Sequence, residues 1–317
     1  MGFKDTLKKQ GGTKLIKQFI SSGVFFTAMN QLMVLGKNQK ALEILRLSTQ
    51  YKVKKKLQKK YKNALIQFDK EYDFNLEHTS SDKVWICWFQ GIENAPEIVK
   101  ACYESAKKNL SDKEIVLLTK ENLLDYVQFP DFILDKWEKG IITHTHMTDL
   151  LRLELLINHG GMWMDATVFC SREEKDIPEY YFNSDLFVYQ NLKPGRDGHS
   201  HLVSSWLMTA KTNNKILMAT RHLCYEYWKK NTKMVDYFLL HDFFSIVLEY
   251  YEKEWKEIMP CSNTTPHILL LRLFDKYNDD MYREILAQTP FHKLSYKFDL
   301  DKQEIDNTYY QRILSGN

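Results

Sequence analysis

The run TDLLRLELLINHGGMWMDATVFC, residues 148–170, constrains the fold of this chain more than any other stretch. Leu150, Leu151, Leu153, Leu155 and Leu156 recur at helical spacing and predict an amphipathic helix over residues 147–158. Gly160 and Gly161 end that helix at its C-cap, and MWMDATVFC reads on as a buried strand. A helix that folds back through a tight glycine turn lies beside the strand that follows it. Asp149 and Arg152, three residues apart, share one helix face and can meet Asp165 on the strand. Alone, the helix pair would be a surface ion pair of little consequence. A carboxylate on an interior strand is different. It is costly to bury unpaired, so a divalent cation or an arginine must stand against it.

The neighbouring segments set this unit in a larger sheet. KVWICWFQG, from Lys83, is a buried strand ended by Gly91; Pro96 opens the helix EIVKACYESAKKN; EIVLLT is a second strand and ENLLDYV a short helix. This alternation predicts a parallel α/β sheet. DLFVYQ and SWLMTA add strands, and KILMATRHLCYEYWKK and YFLLHDFFSIVLEYYEKEW are helical. A polar tail is expected after FHKLSYKFDL. HTHMT at 144–148 reads as a loop near the ligand, because histidines at i and i+2 would not share a helix face. With 317 residues, 44% of them hydrophobic, the chain can bury one large domain or one domain with an appendage.

Charge divides the chain. Residues 1–70 hold 16 Lys+Arg against 3 Asp+Glu, and the remainder 28 against 38. A basic helical region over 1–70 is therefore expected to lie on an anionic membrane, ahead of an enzymatic domain over 71–317. Nucleic acid is not expected as the partner, because lysine dominates and interleaved aromatics are missing. Residues 39–69 form a long helix with Leu57, Tyr61, Leu65 and Phe68 on one face and lysines on the others, and residues 1–36 form short helices broken at Gly11–Gly12. QFISSGVFFTAMNQLMVLG is too polar to span a membrane, and MGFKDT fits a myristoylation pattern that is short enough to arise by chance. Five scattered cysteines without CxxC spacing suggest neither a disulfide framework nor a zinc site, and fit a reducing cytosol.

A carboxylate at a sheet's carboxyl edge, with waters and phosphate oxygens, is how Mg²⁺ or Mn²⁺ is commonly held. The run quoted first resembles the core motif of retaining glycosyltransferases with the GT-A fold. It resembles more closely the capsular polysaccharide synthesis proteins related to glycosyltransferase family 32. KVWICWFQGIENAPEIVKAC is similar to that family's first strand and loop, and FHKLSYK to its C-terminal motif, so the likeness spans roughly residues 83–300. It implies a GT-A-like, Rossmann-type, mostly parallel sheet flanked by helices, with the basic helical region as an N-terminal extension.

By position, the resemblance implies that Asp149 and Arg152 grip donor-sugar hydroxyls, that Trp163 precedes the metal motif, and that Asp165 is its first Asp. Thr167 stands where the broader pattern has a second Asp, so either Asp165 acts through water or another residue completes the metal shell; His292 is the candidate for that, with Lys293 or Lys297 on phosphate. His241, beside Asp242, is a weaker competitor and more simply a core residue. Trp88 and Gln90 match the nucleotide end, Asn122 a ribose or uracil contact, and Ala166 a position that selects between sugars. The implied reaction moves galactose or glucose from a UDP-hexose, with Mn²⁺ or Mg²⁺, to a polyprenyl-diphosphate-linked saccharide on the cytoplasmic face of a bacterial plasma membrane. No Asp or Glu is placed as a nucleophile, which favours a same-face retaining mechanism over double displacement. A phosphoesterase would need a second acidic ligand that D-A-T does not supply. A peripheral scaffold would leave Asp149 and Arg152 as a mere ion pair.

Overall fold

The computed structural model describes residues 13–73, 75–192 and 200–316. The expected helix around Phe3 and Leu7, the Gly11–Gly12 break and the MGFKDT pattern lie outside them. The chain begins with helices α1 (Thr13–Ser21), α2 (Phe25–Leu35) and α3 (Gln39–Glu71). Strand β1 (Lys83–Cys87), helix α4 (Glu97–Asn109) and strand β2 (Glu114–Leu118) follow as a strand–helix–strand unit. Helix α5 (Asp131–Glu138) leads to α6 (His144–His159) and β3 (Gly161–Met164). Next come β4 (Val168–Cys170), β5 (Leu186–Gln190), β6 (Val203–Ala210), α7 (Lys215–Lys230), α8 (Leu239–Tyr250) and β7 (Phe291–Lys293).

Five strands form one sheet in the order β2-β1-β3-β6-β5. β1 is parallel to both β2 and β3, β6 is antiparallel to β3 and to β5, and so only β6 runs against the rest. Helices cover both faces, and the strands show it by alternation. Trp85, Cys87 and Trp163 enter the core shared with α6, α7 and α8, whereas Val84, Ile86, Met162 and Met164 enter the core under α4.

The glycine turn forms where expected. Gly160, at φ 67°, is the C-cap of α6 and donates its N–H to Leu156 O. Gly161 sits at φ 88° against β1, where an added Cβ would stand 2.3 Å from Lys83 O. Gly161→Ala therefore combines a left-handed backbone with a backbone clash inside the sheet. It is expected to lower the urea midpoint by the equivalent of more than about 3 kcal/mol, or to prevent soluble expression. An unchanged unfolding curve would mean that β1 and β3 do not pair as described.

Three expectations require correction. MWMDATVFC is not one strand: the Val168 N–H bonds back to Asp165 O at 3.0 Å, and this turn carries the chain from β3 into β4, which pairs with β7 in a separate two-stranded sheet. HTHMT is not a loop; Thr143 caps α6 by accepting the His146 N–H, so the helix starts three residues earlier than expected. The tail beyond FHKLSYKFDL includes a helix, Tyr309–Leu314, that buries Tyr309, Tyr310 and Ile313. The boundary at residue 70 falls inside α3, whose Tyr61 packs on Tyr227 and Phe243 and whose Leu57 and Leu65 join the main core. The apolar face of α3 is thus covered by the body.

Candidate active site

A cleft of about 650 Å³ opens at the carboxyl ends of β1 and β3. Its walls come from the turn after β1 (Trp88, Phe89, Gln90), the first turns of α6, the β3–β4 turn, and the segment from Lys293 to Lys297. That is the crevice where open α/β sheets hold ligands.

Asp165 caps β3, with its side chain about a quarter exposed and every donor near it cationic or aromatic. Oδ2 accepts from Lys293 Nζ at 2.8 Å, while Oδ1 accepts from Trp163 Nε1 at 3.0 Å and lies 3.7 Å from Arg152 Nη2. Lys293 also donates to Thr167 Oγ1. Burial works to raise the Asp165 carboxyl, but Lys293 first and Arg152 next hold it below its ordinary value of 3.8.

Arg152 is committed on all sides. Nε donates to Thr148 O and Nη1 to the carbonyl and hydroxyl of Ser205, while Nη2 forms an ion pair with Asp149 Oδ1 at 3.1 Å and the guanidinium lies 5.0 Å over the Trp163 ring. Asp149, which the resemblance set on donor-sugar hydroxyls, stands behind it, buried and off the cleft wall, and its ion pair holds Arg152 in place. A tryptophan N–H can only donate, so the Trp228 Nε1–His146 Nε2 bond puts the neutral His146 proton on Nδ1, which faces Asp149 Oδ2 at 3.3 Å. The chain Trp228–His146–Asp149–Arg152 thereby braces the cleft from within the core. Burial opposes ionisation of Asp149 as well, and Arg152 followed by His146 keeps its carboxyl lowered.

The sign for pH follows. Both carboxyls have folded values depressed below 3.8, so their stabilisation is complete above the unfolded value and is lost as pH falls through the lower folded values. Acid unfolding of Asp165→Asn is therefore expected to be less steep below about pH 4 than that of the unaltered chain. Parallel curves would show that Asp165 is not held as described.

The remaining candidates divide. Trp88, Gln90, Trp163, Ala166, Thr167, Lys293 and Lys297 all line the cleft. Trp88 meets Tyr296 edge to face at 5.3 Å, and its indole N–H is buried without an acceptor among the described residues. Asn122 is not brought there: its amide accepts the Thr119 N–H and donates to Leu117 O, closing the loop after β2. His292 is not brought there either. Neighbours on a strand point to opposite sides, and with Lys293 on Asp165, His292 turns inward, fully buried against Phe169 and bonded to Ser171 Oγ. His241 is half-buried behind Ser205, bonded to its hydroxyl at 3.2 Å. Residues not anticipated are Ser205, Trp228, Phe89, Tyr237 and Tyr296. Tyr296, in FHKLSYK, and Phe89, in KVWICWFQG, lie inside the motifs that carry the resemblance; the other three lie only in predicted strands and helices.

The donor set does not fit a divalent cation held by the protein. Among the described residues Asp165 is the only carboxylate on the cleft wall, both of its oxygens face cations, and no group of three His, Cys, Asp or Glu side chains converges. The arrangement is instead a fixed cluster of positive charge around one carboxylate.

The model of one family, described as capsular polysaccharide synthesis protein, matches residues 35–313. The chain is 27% identical over 172 residues to the O-glycosyltransferase braB of Annulohypoxylon truncatum, covering 49% of this chain and 40% of that protein. It is 24% identical over 153 residues to the O-glycosyltransferase PaGT of Phomopsis amygdali, covering 43% of this chain and 37% of that one. The chain thus spans well under half the length of these two relatives. A solved structure titled PaToxG glycosyltransferase aligns over 84% of this chain and 97% of its own, at 17% identity and a TM-score of 0.39.

Proposed function

The chain belongs to the capsular polysaccharide synthesis protein family, and from that premise we propose that it transfers a hexose from a UDP-sugar to a saccharide acceptor, with retention at the anomeric carbon. The observation that carries this reading is the cluster of Arg152, Lys293 and Asp165 facing one cleft beside Trp88 and Tyr296. Breaking the anomeric C–O bond leaves negative charge on the diphosphate. Lys293, with Lys297 further along the same wall, meets that charge, and fixed cations in a partly dried cleft stabilise it more than water does. Trp88, on the cleft wall, offers its ring to the base. The divalent cation expected from the sequence is given no role, because the residues do not assemble its shell.

Retention rests on the state of the two described cleft-wall residues that could act as a base, Asp165 and His144. Asp165 is neutralised by its neighbours. His144, also on the wall, accepts the Trp137 Nε1–H on Nδ1, so its neutral ring carries the proton on Nε2 and presents a donor. Inversion would need a base poised against the acceptor hydroxyl. In the same-face route the departing diphosphate oxygen takes that proton instead. The acceptor we assign is a lipid-diphosphate-linked saccharide at the cytoplasmic face of a membrane, in keeping with capsule repeat-unit synthesis.

The test is donor hydrolysis screened over UDP-galactose, UDP-glucose and other UDP-sugars, with the released anomer read by NMR. One UDP-hexose should turn over to the retained anomer, and Asp165→Asn should lower the rate by about 10²-fold or more while the protein stays folded. Release of the inverted anomer would contradict the mechanism, and hydrolysis indifferent to Asp165 would contradict the site.

A further inference from the structure

We propose that the chain docks on an anionic lipid bilayer through the outward face of α2 and the N-terminal half of α3, with α2 as the inserting element. Residues 18–36 carry no charged side chain, yet α2 is not buried: Phe26 is 85% exposed, Met33 74% and Val34 72%. Its inner side is fixed, so this exposure is not fraying. Val24 and Ala28 are buried, Lys52 Nζ donates to Thr27 Oγ1, and Lys56 Nζ donates to the carbonyls of Ser22 and Gly23.

On α3 the exposed residues Ile44, Leu47 and Tyr51 continue at three- and four-residue spacing into Lys55 and Lys59. An apolar stripe that runs into a lysine stripe is the pattern of a helix lying at a headgroup boundary. Lys54, between them in sequence, turns the other way: its side chain is buried and pairs with Glu249 of α8.

Charge selects the occupant. Residues 37–70 hold 11 basic and 2 acidic residues, whereas residues 71–317 hold 28 basic and 38 acidic. An anionic surface attracts this face and repels the rest, which fixes orientation as well as contact. A second copy seated on the same patch would set lysine stripe against lysine stripe, which disfavours it. Helix α1, which leads into α2, reaches toward the cleft. The Gln18 amide reaches Val235 O at 3.5 Å, and Tyr237, two residues on, lines the cleft wall. The saccharide of a membrane-anchored acceptor would enter from that side, a consequence that rests on the function proposed above; bilayer docking itself does not.

The test uses the full chain in co-sedimentation with phosphatidylglycerol-containing vesicles and with pure phosphatidylcholine vesicles. The chain should pellet with the first and not the second. Phe26→Asp with Met33→Asp, both exposed and so compatible with folding, should weaken binding by about tenfold or more without altering the circular dichroism or the UDP affinity. Lys55→Gln with Lys59→Gln should weaken it less and make the remainder less sensitive to salt. Vesicle binding untouched by the Phe26 and Met33 changes would overturn the proposal, as would a homodimer, seen by sedimentation velocity, that those changes dissolve. UDP binding is measured separately, so failure here leaves the proposed reaction standing, and the converse.

Discussion

Arg152→Ala is expected to abolish donor turnover and, in addition, to destabilise the fold by about 3–5 kcal/mol. Many cleft residues can be truncated with little effect on folding; this one cannot, because its guanidinium is the partner of a buried carboxylate. Removing it strands Asp149, which keeps only His146, and leaves the Ser205 carbonyl without its donor. Equilibrium urea unfolding measures the first effect and UDP-hexose hydrolysis the second. Arg152→Lys is expected to recover part of the stability and almost none of the turnover. One ammonium cannot reach Thr148 O, Ser205 and both Asp149 and Asp165 together. Full stability in Arg152→Ala would mean that the buried pair does not exist in solution.

Lys293→Ala is expected to lower turnover by about 10²–10³-fold, the usual consequence of removing one fixed donor to a developing charge, with little change in stability. Asp165 keeps the Trp163 N–H and the Arg152 guanidinium, and the lysine is partly exposed, so no buried charge is stranded. The variant also probes whether the lysine stands where the expected metal would. With Lys293 gone, Asp165 Oδ2 loses its ammonium, and Mn²⁺ should gain affinity for the variant that the unaltered chain lacks. Electron paramagnetic resonance of free Mn²⁺ reads this directly, without turnover. Equal Mn²⁺ binding by both proteins would show that the lysine does not stand in the cation's place.

What the sequence made legible follows from how far each signal reaches. The helix, glycine turn and strand around residues 148–165 are local. Leucine spacing and the Gly–Gly pair therefore located Asp149, Arg152 and Asp165 together, and the strand–helix–strand rhythm gave the parallel core. Lys293 and His292 are adjacent, and choosing between them needs the register of β7 on β4, a pairing across more than a hundred residues that no local periodicity encodes. The inward neighbour was therefore read as the ligand. Asn122 failed for a different reason, since an asparagine just after a strand serves its own loop as readily as a substrate. His146 was misread because the cap at Thr143 is a single-residue signal, and Ser205 and Trp228 were invisible because they act only through Arg152 and Asp149. The lysines of α3 were legible as charge but not as direction; folding buries Lys54 and leaves Lys55 and Lys59 outside.

The central claim is that fixed side-chain cations, not a protein-held metal, receive the diphosphate in this cleft. Calorimetric titration of UDP into the unaltered chain and into Lys293→Ala, each in EDTA and then in excess Mn²⁺, tests it most directly. Saturable binding in EDTA that Mn²⁺ leaves nearly unchanged, and that Lys293→Ala weakens by about tenfold or more, is the expected result. Binding that appears only when Mn²⁺ is added, or none under either condition, would contradict it.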